Sequence, residues 1–293
     1  MTTYIFDNTL DGLLTAVFDS FALHQQPQLL AEGEQLPLFA DEPHRVVTDE
    51  AKAARVWKGL EKHLSREALR IISISWMSEE RTLNQPLFNY ICKVFLTGKD
   101  LSHNASDPDV LAVRNTCRRV LHEEQRMKQF IRFQKAKDGT YLAVVAPDHN
   151  VLPLIIDHFL DRFNDQSWLI YDARRHYGYY YGSPHPTSPY PTGPQPTGPI
   201  GEESSAQTVF PPRGDKRGAD RAVVRITFED ETSVPFDLTN GKLDAAVLST
   251  DDQLFQDLWR TYFKAICIRE RINPRKQLND MPRRYWRYMT EKN

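Results

Sequence analysis

The stretch Ile131-Arg-Phe-Gln-Lys-Ala-Lys137-Asp138-Gly139-Thr140-Tyr-Leu-Ala-Val-Val-Ala146 settles the fold class. Two runs of strand-forming residues, 131–137 and 140–146, flank Asp138-Gly139. An Asp-Gly pair adopts the positive-φ turn that joins antiparallel strands at little steric cost, so this stretch is predicted to be a hairpin. A helix follows over about 150–162, and residues 167–171 and 177–181 then read as a second strand pair. Hairpin, helix, hairpin predicts an α+β fold, with an antiparallel sheet built from hairpins and packed by helices on one face. It does not predict a doubly wound nucleotide-binding fold.

Toward the N-terminus the apolar period becomes helical. After a short strand at 3–6, Leu10, Leu13, Leu14, Val17, Phe18 and Phe21 fall on one helix face. Residues 25–47 read as a loop ending in a short strand at 45–47. Thr48, followed by Asp49 and Glu50, is predicted to cap a helix that buries Val56, Trp57, Leu60 and Leu64. Ser65 caps the next helix, and two more are expected at 84–97 and 108–129. Beyond the second strand pair, residues 183–222 hold 9 of the 19 prolines and few large apolar side chains. Ordering them would cost entropy with no burial in return, which predicts a disordered linker. A further hairpin is expected from 223–228 and 233–238. Thr250-x-x-Gln253 reads as a capping box for a helix carrying Leu254, Leu258, Trp259, Tyr262, Phe263 and Ile266. The expected organisation is a core of 1–182, helical to about 130, then the linker, then a C-terminal part 223–293 packing back on the core.

Hydrophobic residues make up 40% of the 293, enough for a real core. The net charge is −2, so any attraction for nucleic acid has to come from a local patch. The longest aliphatic run, 151–156, contains Pro153 and is far too short to span a bilayer. The first ten residues carry Asp7 and no Lys or Arg, so no signal peptide is expected. Cys92, Cys117 and Cys267 are widely separated and odd in number, which points to reduced thiols in a cytoplasmic protein. Three scattered cysteines hold neither a four-cysteine zinc nor a cluster, so no resident metal or cofactor is expected, and any iron–sulfur chemistry would come from a partner.

Charge is concentrated at the C-terminal end. Residues 260–293 carry ten Lys and Arg against three acids, with Arg271 and Lys276 upstream of Arg283, Arg284, Tyr285, Trp286 and Arg287. Guanidinium groups fork onto phosphates and flat rings stack on unpaired bases, so this mixture suits single-stranded or distorted nucleic acid. The alternative is that the aromatics anchor the tail on the core and the arginines are its solvated face. A second basic stretch contributes Arg126, Lys128 and Arg132. Asp148-His149-Asn150 lies between a strand and a helix, where an imidazole beside a carboxylate can do acid–base work, although Asp and Asn are also preferred helix caps. A charged turn with Asp172, Arg174 and Arg175 would complete a polar pocket if it folded against Asp148 and His149. No phosphate-binding glycine loop, dinucleotide fingerprint, H-E-x-x-H, G-x-S-x-G or deaminase zinc signature is present, which favours a non-catalytic protein.

Several blocks in order carry a resemblance. They are Val56-Trp-Lys-Gly-Leu60, Gln125-Arg-Met-Lys-Gln-Phe-Ile-Arg-Phe133, Asp138-Gly-x-Tyr141, Pro147-Asp-His-Asn-Val-Leu-Pro153, Trp168-Leu-Ile-Tyr-Asp-x-Arg-Arg175 and Tyr180-Tyr181. They continue with Leu258-Trp-x-x-Tyr-Phe-Lys264, Arg269-Glu-Arg-x-Asn-Pro274 and Met281-Pro-x-Arg-Tyr-Trp286. Together they resemble the uncharacterised bacterial family of probable DNA metabolism proteins. The resemblance implies association with a radical-SAM protein thought to modify or repair DNA. Some family members are fused to a uracil-DNA-glycosylase-like domain, and none is expected to follow Asn293 here. The family usually has His and Gly where this chain has Gln125 and Gln129, and a glutamine cannot shuttle a proton. What the resemblance implies is therefore an accessory protein of DNA repair or modification that binds DNA, a radical-SAM partner, or both. The alternatives are a stand-alone nucleic-acid-processing enzyme with Asp148, His149, Asp172 and Arg175 at its site, and an RNA-binding factor.

Overall fold

A computed structural model describes residues 2–36, 42–182, 222–227, 237, 240–265 and 273–292. The proline-rich stretch up to 221, most of the strand expected at 233–238, and Ile266, Cys267 and Arg271 lie outside the described residues. The chain divides into Met1–Glu123 and Glu124–Asn293.

In the first unit, β1 (Thr3–Phe6) is the centre of a three-stranded sheet, flanked by β2 (Gln28–Ala31) and β3 (His44–Arg45). Both pairings are parallel; β2 corrects the reading of 28–31 as loop, and β3 lies at 44–45, where a short strand is expected at 45–47. These strands are four and two residues long, too short to show a period of two. Helix α1 (Leu10–Ala22) starts at Thr9, whose hydroxyl accepts the Gly12 N–H. Helix α2 (Glu50–His63) is capped by Asp49 rather than Thr48, its carboxylate accepting the Ala51 and Lys52 N–H groups. The Thr48 hydroxyl instead donates to Asp7 at 2.8 Å. Helices α3 (Arg66–Trp76), α4 (Asn84–Thr97) and α5 (Pro108–Phe130) follow at the expected places, α5 running past the unit boundary. Leu13, Leu60, Ile72, Leu87 and Ile91 are fully buried in one apolar cluster.

Ser65 caps α3 as expected, accepting the Ala68 N–H at 3.2 Å. Ser65→Ala leaves that N–H without its partner and is expected to lower stability by about 1 kcal/mol. Urea unfolding followed by circular dichroism reads this directly, and Ser65→Asp, which restores an acceptor, should recover most of the loss.

The second unit holds a five-stranded sheet in the order β4-β5-β6-β7-β8. Strands β4 (Gln134–Lys135) and β5 (Tyr141–Val145) form the Asp-Gly hairpin, with Gly139 at φ +85°. Helix α6 (Leu152–Arg162) leads to β6 (Trp168–Asp172), and β6 pairs antiparallel with β7 (Tyr177–Gly182). The β5–β6 pair is parallel, because a helical crossover returns the chain to the same end of the sheet. The fold is thus α+β as expected, with one parallel pair inside a mostly antiparallel sheet. Strand β6 is buried along its whole length, as a central strand between such neighbours must be. Strand β8 (Ala222–Thr227) adds antiparallel to β7, so the strands between 134 and 182 share a sheet with 222–227.

Helix α7 (Asp252–Ala265) begins two residues beyond the expected cap Thr250. The Asp252 carboxylate accepts the Lys135 N–H at 2.7 Å, tying the helix start to β4. Helix α8 (Pro274–Asp280) is capped by Asn273, and a 3-10 segment spans Arg283–Tyr288. Among the described residues no helix is long and apolar enough to cross a membrane.

Candidate nucleic-acid interface

Three features of the second unit contain most of the candidate residues. The first is a polar knot. Asp172, at the end of β6, is fully buried. Its carboxylate accepts the Arg174 and Arg175 N–H groups and pairs with the Arg175 guanidinium at 2.9 Å. Arg175 is 11% exposed and also donates to the Pro147 and Asp148 carbonyls. The Asp148 carboxylate bridges Arg174 at 3.0 Å and Arg284 at 2.6 Å. Asn150 accepts the Tyr177 hydroxyl, and the N-cap of α6 is Val151 with no side-chain cap, which corrects the capping reading of Asp148 and Asn150. The charged turn meets Asp148 through Arg174 and Arg175. Burial pushes the Asp172 carboxyl above the ordinary carboxylate value, although Arg175 and the two backbone donors pull it down. His149 is half-buried, and its carbonyl accepts the Val151 N–H. With both carboxylates engaged by arginines, the knot is built as a clamp between β6, the 147–150 loop and the C-terminal segment.

The second feature is that segment itself. Tyr285 is buried against Phe130, with ring centroids 5.9 Å apart, and Met289 is fully buried. The Tyr285 ring is therefore an anchor, unavailable for stacking on a base. Arg283 and Arg287 are exposed and lie over the rings of Trp286 and Tyr288, at 5.8 and 4.7 Å. Lys292 sits 4.5 Å from the Trp286 centroid on the same patch. Arg284 lies over the Tyr285 ring while it pairs with Asp148. Lys276 is exposed and loosely paired with Asp280 at 3.9 Å. Arg126 donates to the Asn279 carbonyl, so α5 and α8 meet here.

The third feature is a cleft of about 920 Å³. Its walls are the end of α5 with Lys128, the following residues Arg132 and Phe133, α6 with His158 and Arg162, and α7 with Phe255 and Trp259. Lys128 is paired with Glu124. Arg132 forks onto Glu291 at 2.6 and 3.2 Å and lies over the Trp259 ring. The Glu291 side chain is 1% exposed and also accepts the Trp259 indole N–H at 3.1 Å. Burial alone would raise the Glu291 carboxyl; Arg132 and Trp259 together hold it below the ordinary glutamate value. Burial, Lys128 and Arg162 lower the His158 imidazole, with Asp161 opposing them.

Arg126, Lys128, Arg132, Lys276, Arg283, Arg284, Arg287 and Trp286 thus belong to one unit, while Arg271 lies outside the described residues. Sequence reading missed His158, Arg162, Phe133, Phe163 and Phe255. Their signal is present in hindsight: His158 and Arg162 are four apart and share a face of α6, and Phe159 and Phe163 repeat that spacing. Among the described residues no group of three or more His, Cys, Asp or Glu side chains is placed to hold a metal ion. The family described as Domain of unknown function (DUF4130) matches residues 81–291. No curated protein matches the chain.

Proposed function

This chain belongs to the DUF4130 family, and we propose that it is an accessory protein of DNA metabolism whose C-terminal segment holds single-stranded or distorted nucleic acid. The observation that carries this reading is the placing of exposed Arg283 over half-buried Trp286 and of exposed Arg287 over half-buried Tyr288, joined by Lys292. Arg283, exposed over the Trp286 ring, can turn its N–H edge to a phosphate and its outer face to a base. Three cations on one short segment give a near-neutral protein a local field for a polyanion. The partner implied by the resemblance is a radical-SAM enzyme, to which this protein would present the strand. Recovery of a cluster-containing protein with the tagged chain from its native cell tests that half of the reading.

Direct binding is tested by the salt dependence of affinity for a short oligothymidylate and for a duplex of equal length. The single strand is expected to bind more tightly, with log K falling by about 0.7 per log unit of salt for each phosphate contact. Arg283→Ala with Arg287→Ala removes two contacts and is expected to flatten that slope by about 1.4, twice the single-contact value. Absence of binding at low salt, or a slope unchanged in the double variant, defeats the reading. Equal affinity for the matching RNA would move it to an RNA-binding factor.

A further inference from the structure

The cleft has a composition that the binding segment alone does not require. Its volume of about 920 Å³ lies in the size range of small-ligand sites, roughly 300–1,000 Å³. Helices α5 and α6 supply cations to it, and α7 supplies rings that are open to solvent, Phe255 at 58% and Trp259 at 39% exposed. Large aromatic side chains left this exposed on the wall of a concavity are unusual unless something lies against them. Two of the three Lys and Arg side chains, Lys128 and Arg132, are already paired with Glu124 and Glu291. Arg162 makes no ion pair among the described residues, resting only over the Phe163 ring, and His158 packs edge-on against Phe159. Gln125 and Gln129 line the same space with exposed amides, each offering a donor and an acceptor. Asp252 is the carboxylate on the lining, and it is buried and occupied by the Lys135 N–H and Gln256.

We propose that this cleft seats one nucleotide unit of a strand, its phosphate between His158 and Arg162 and its base against Phe255 and Trp259. The inference rests on the nucleic-acid reading above and names what that strand inserts. The glutamine amides meet the base edge, and Lys128 adds to the field at the phosphate. The charged groups acting on His158 are Lys128 on α5 and Asp161 and Arg162 on α6; Arg132 and Asp252 line the same cleft, and Lys128 and Arg132 carry their partners Glu124 and Glu291. Burial, together with Lys128 and Arg162, disfavours the protonated imidazole in the empty cleft. A bound phosphate reverses that balance, so binding takes up a proton at His158.

The test is calorimetric titration of the full chain with the dinucleotide d(TpT), whose single diester does not titrate near neutrality, and with thymidine. d(TpT) is expected to bind, and thymidine about tenfold more weakly or not at all. Arg162→Ala and Phe255→Ala should each weaken d(TpT) about tenfold with melting temperatures near wild type, since both side chains are exposed. Wild-type affinity should rise between about pH 8 and about pH 6, and His158→Gln should abolish that rise. The inference is overturned if folded Arg162→Ala and Phe255→Ala bind d(TpT) like wild type, or if a short polyglutamate binds as well as d(TpT). It is also overturned if d(TpT) fails to bind while a longer oligothymidylate binds, a result that leaves the nucleic-acid reading standing. Failure of both ligands ends both.

Discussion

Arg175→Met is expected to lower the stability of the second unit by about 3–5 kcal/mol, the range found when one member of a buried ion pair is removed. Arg175 is 11% exposed and Asp172 is fully buried, so solvent does not rescue the carboxylate left behind. The Arg174 and Arg175 N–H groups still donate to it, but two backbone bonds do not neutralise a whole charge. The carbonyls of Pro147 and Asp148 lose their donor in the same change, so the 147–150 loop should loosen with the strand end. The deficit has a pH signature. Removing the guanidinium raises the Asp172 carboxyl further, and a folded-state pKa above the unfolded one means that the folded form holds the proton more tightly. Stability then falls as pH rises from the unfolded carboxylate value, about 3.9, to the raised folded value, and the full loss is present above it. Guanidinium unfolding at several pH values reads both the size and the window. Asp172→Leu combined with Arg175→Met should recover much of the loss, because apolar side chains of similar volume replace buried ion pairs at little cost. A double variant as unstable as the single one would show that the carbonyl contacts, not the charge, dominate.

The second large effect pulls stability and binding in opposite directions. Glu291→Gln keeps an acceptor for the Trp259 indole but removes the anion that neutralises Arg132. The loss is expected to be on the order of 2 kcal/mol, typical of hydrogen bonds to a charged group, since Arg132 itself is partly solvated. Freed from its partner, Arg132 adds a full positive charge to the cleft, and affinity for oligothymidylate should rise severalfold. Because the Glu291 carboxyl is held below its ordinary value, its contribution to stability is complete above the unfolded glutamate pKa and disappears as pH falls through the lower folded value. The variant should therefore differ from wild type at neutral pH and converge with it in acid. Denaturant unfolding at neutral and acid pH, beside anisotropy titrations, checks both signs. A variant that is destabilised without binding more tightly would place Glu291 in a purely structural role.

Much of the fold is legible because its signals are local. Asp138-Gly139 marks its hairpin, and Ser65 marks the start of α3, through chemistry that acts within four residues. Cap identities failed where a long-range partner competed for the same side chain. Thr48 serves Asp7, Asp148 serves two arginines, and Asn150 serves Tyr177, none of them near in sequence. Strand β2 exists only through pairing with β1, so its own residues carry too little period to read. The candidate site divides the same way. The basic aromatic run at 283–287 is visible as a run, but which rings are anchors and which are open is a matter of burial: Tyr285 is hidden where Phe255 is bare. The cleft could not be read at all, since its cations and rings come from three helices and the residues after α5, spread from Lys128 to Trp259 and gathered by packing.

The anchoring of the C-terminal segment has a thermodynamic consequence. Tyr285 and Met289 are sunk into the unit on either side of Arg287, and the long cationic side chains between and beside them already rest on rings. Most of their rotational freedom is surrendered during folding, before any strand arrives. Immobilising a flexible side chain on association costs about 0.5–1.5 kcal/mol, and here that penalty is largely discharged in advance. A modest number of contacts can then suffice for useful affinity, where a floppy polybasic tail of equal charge would need more.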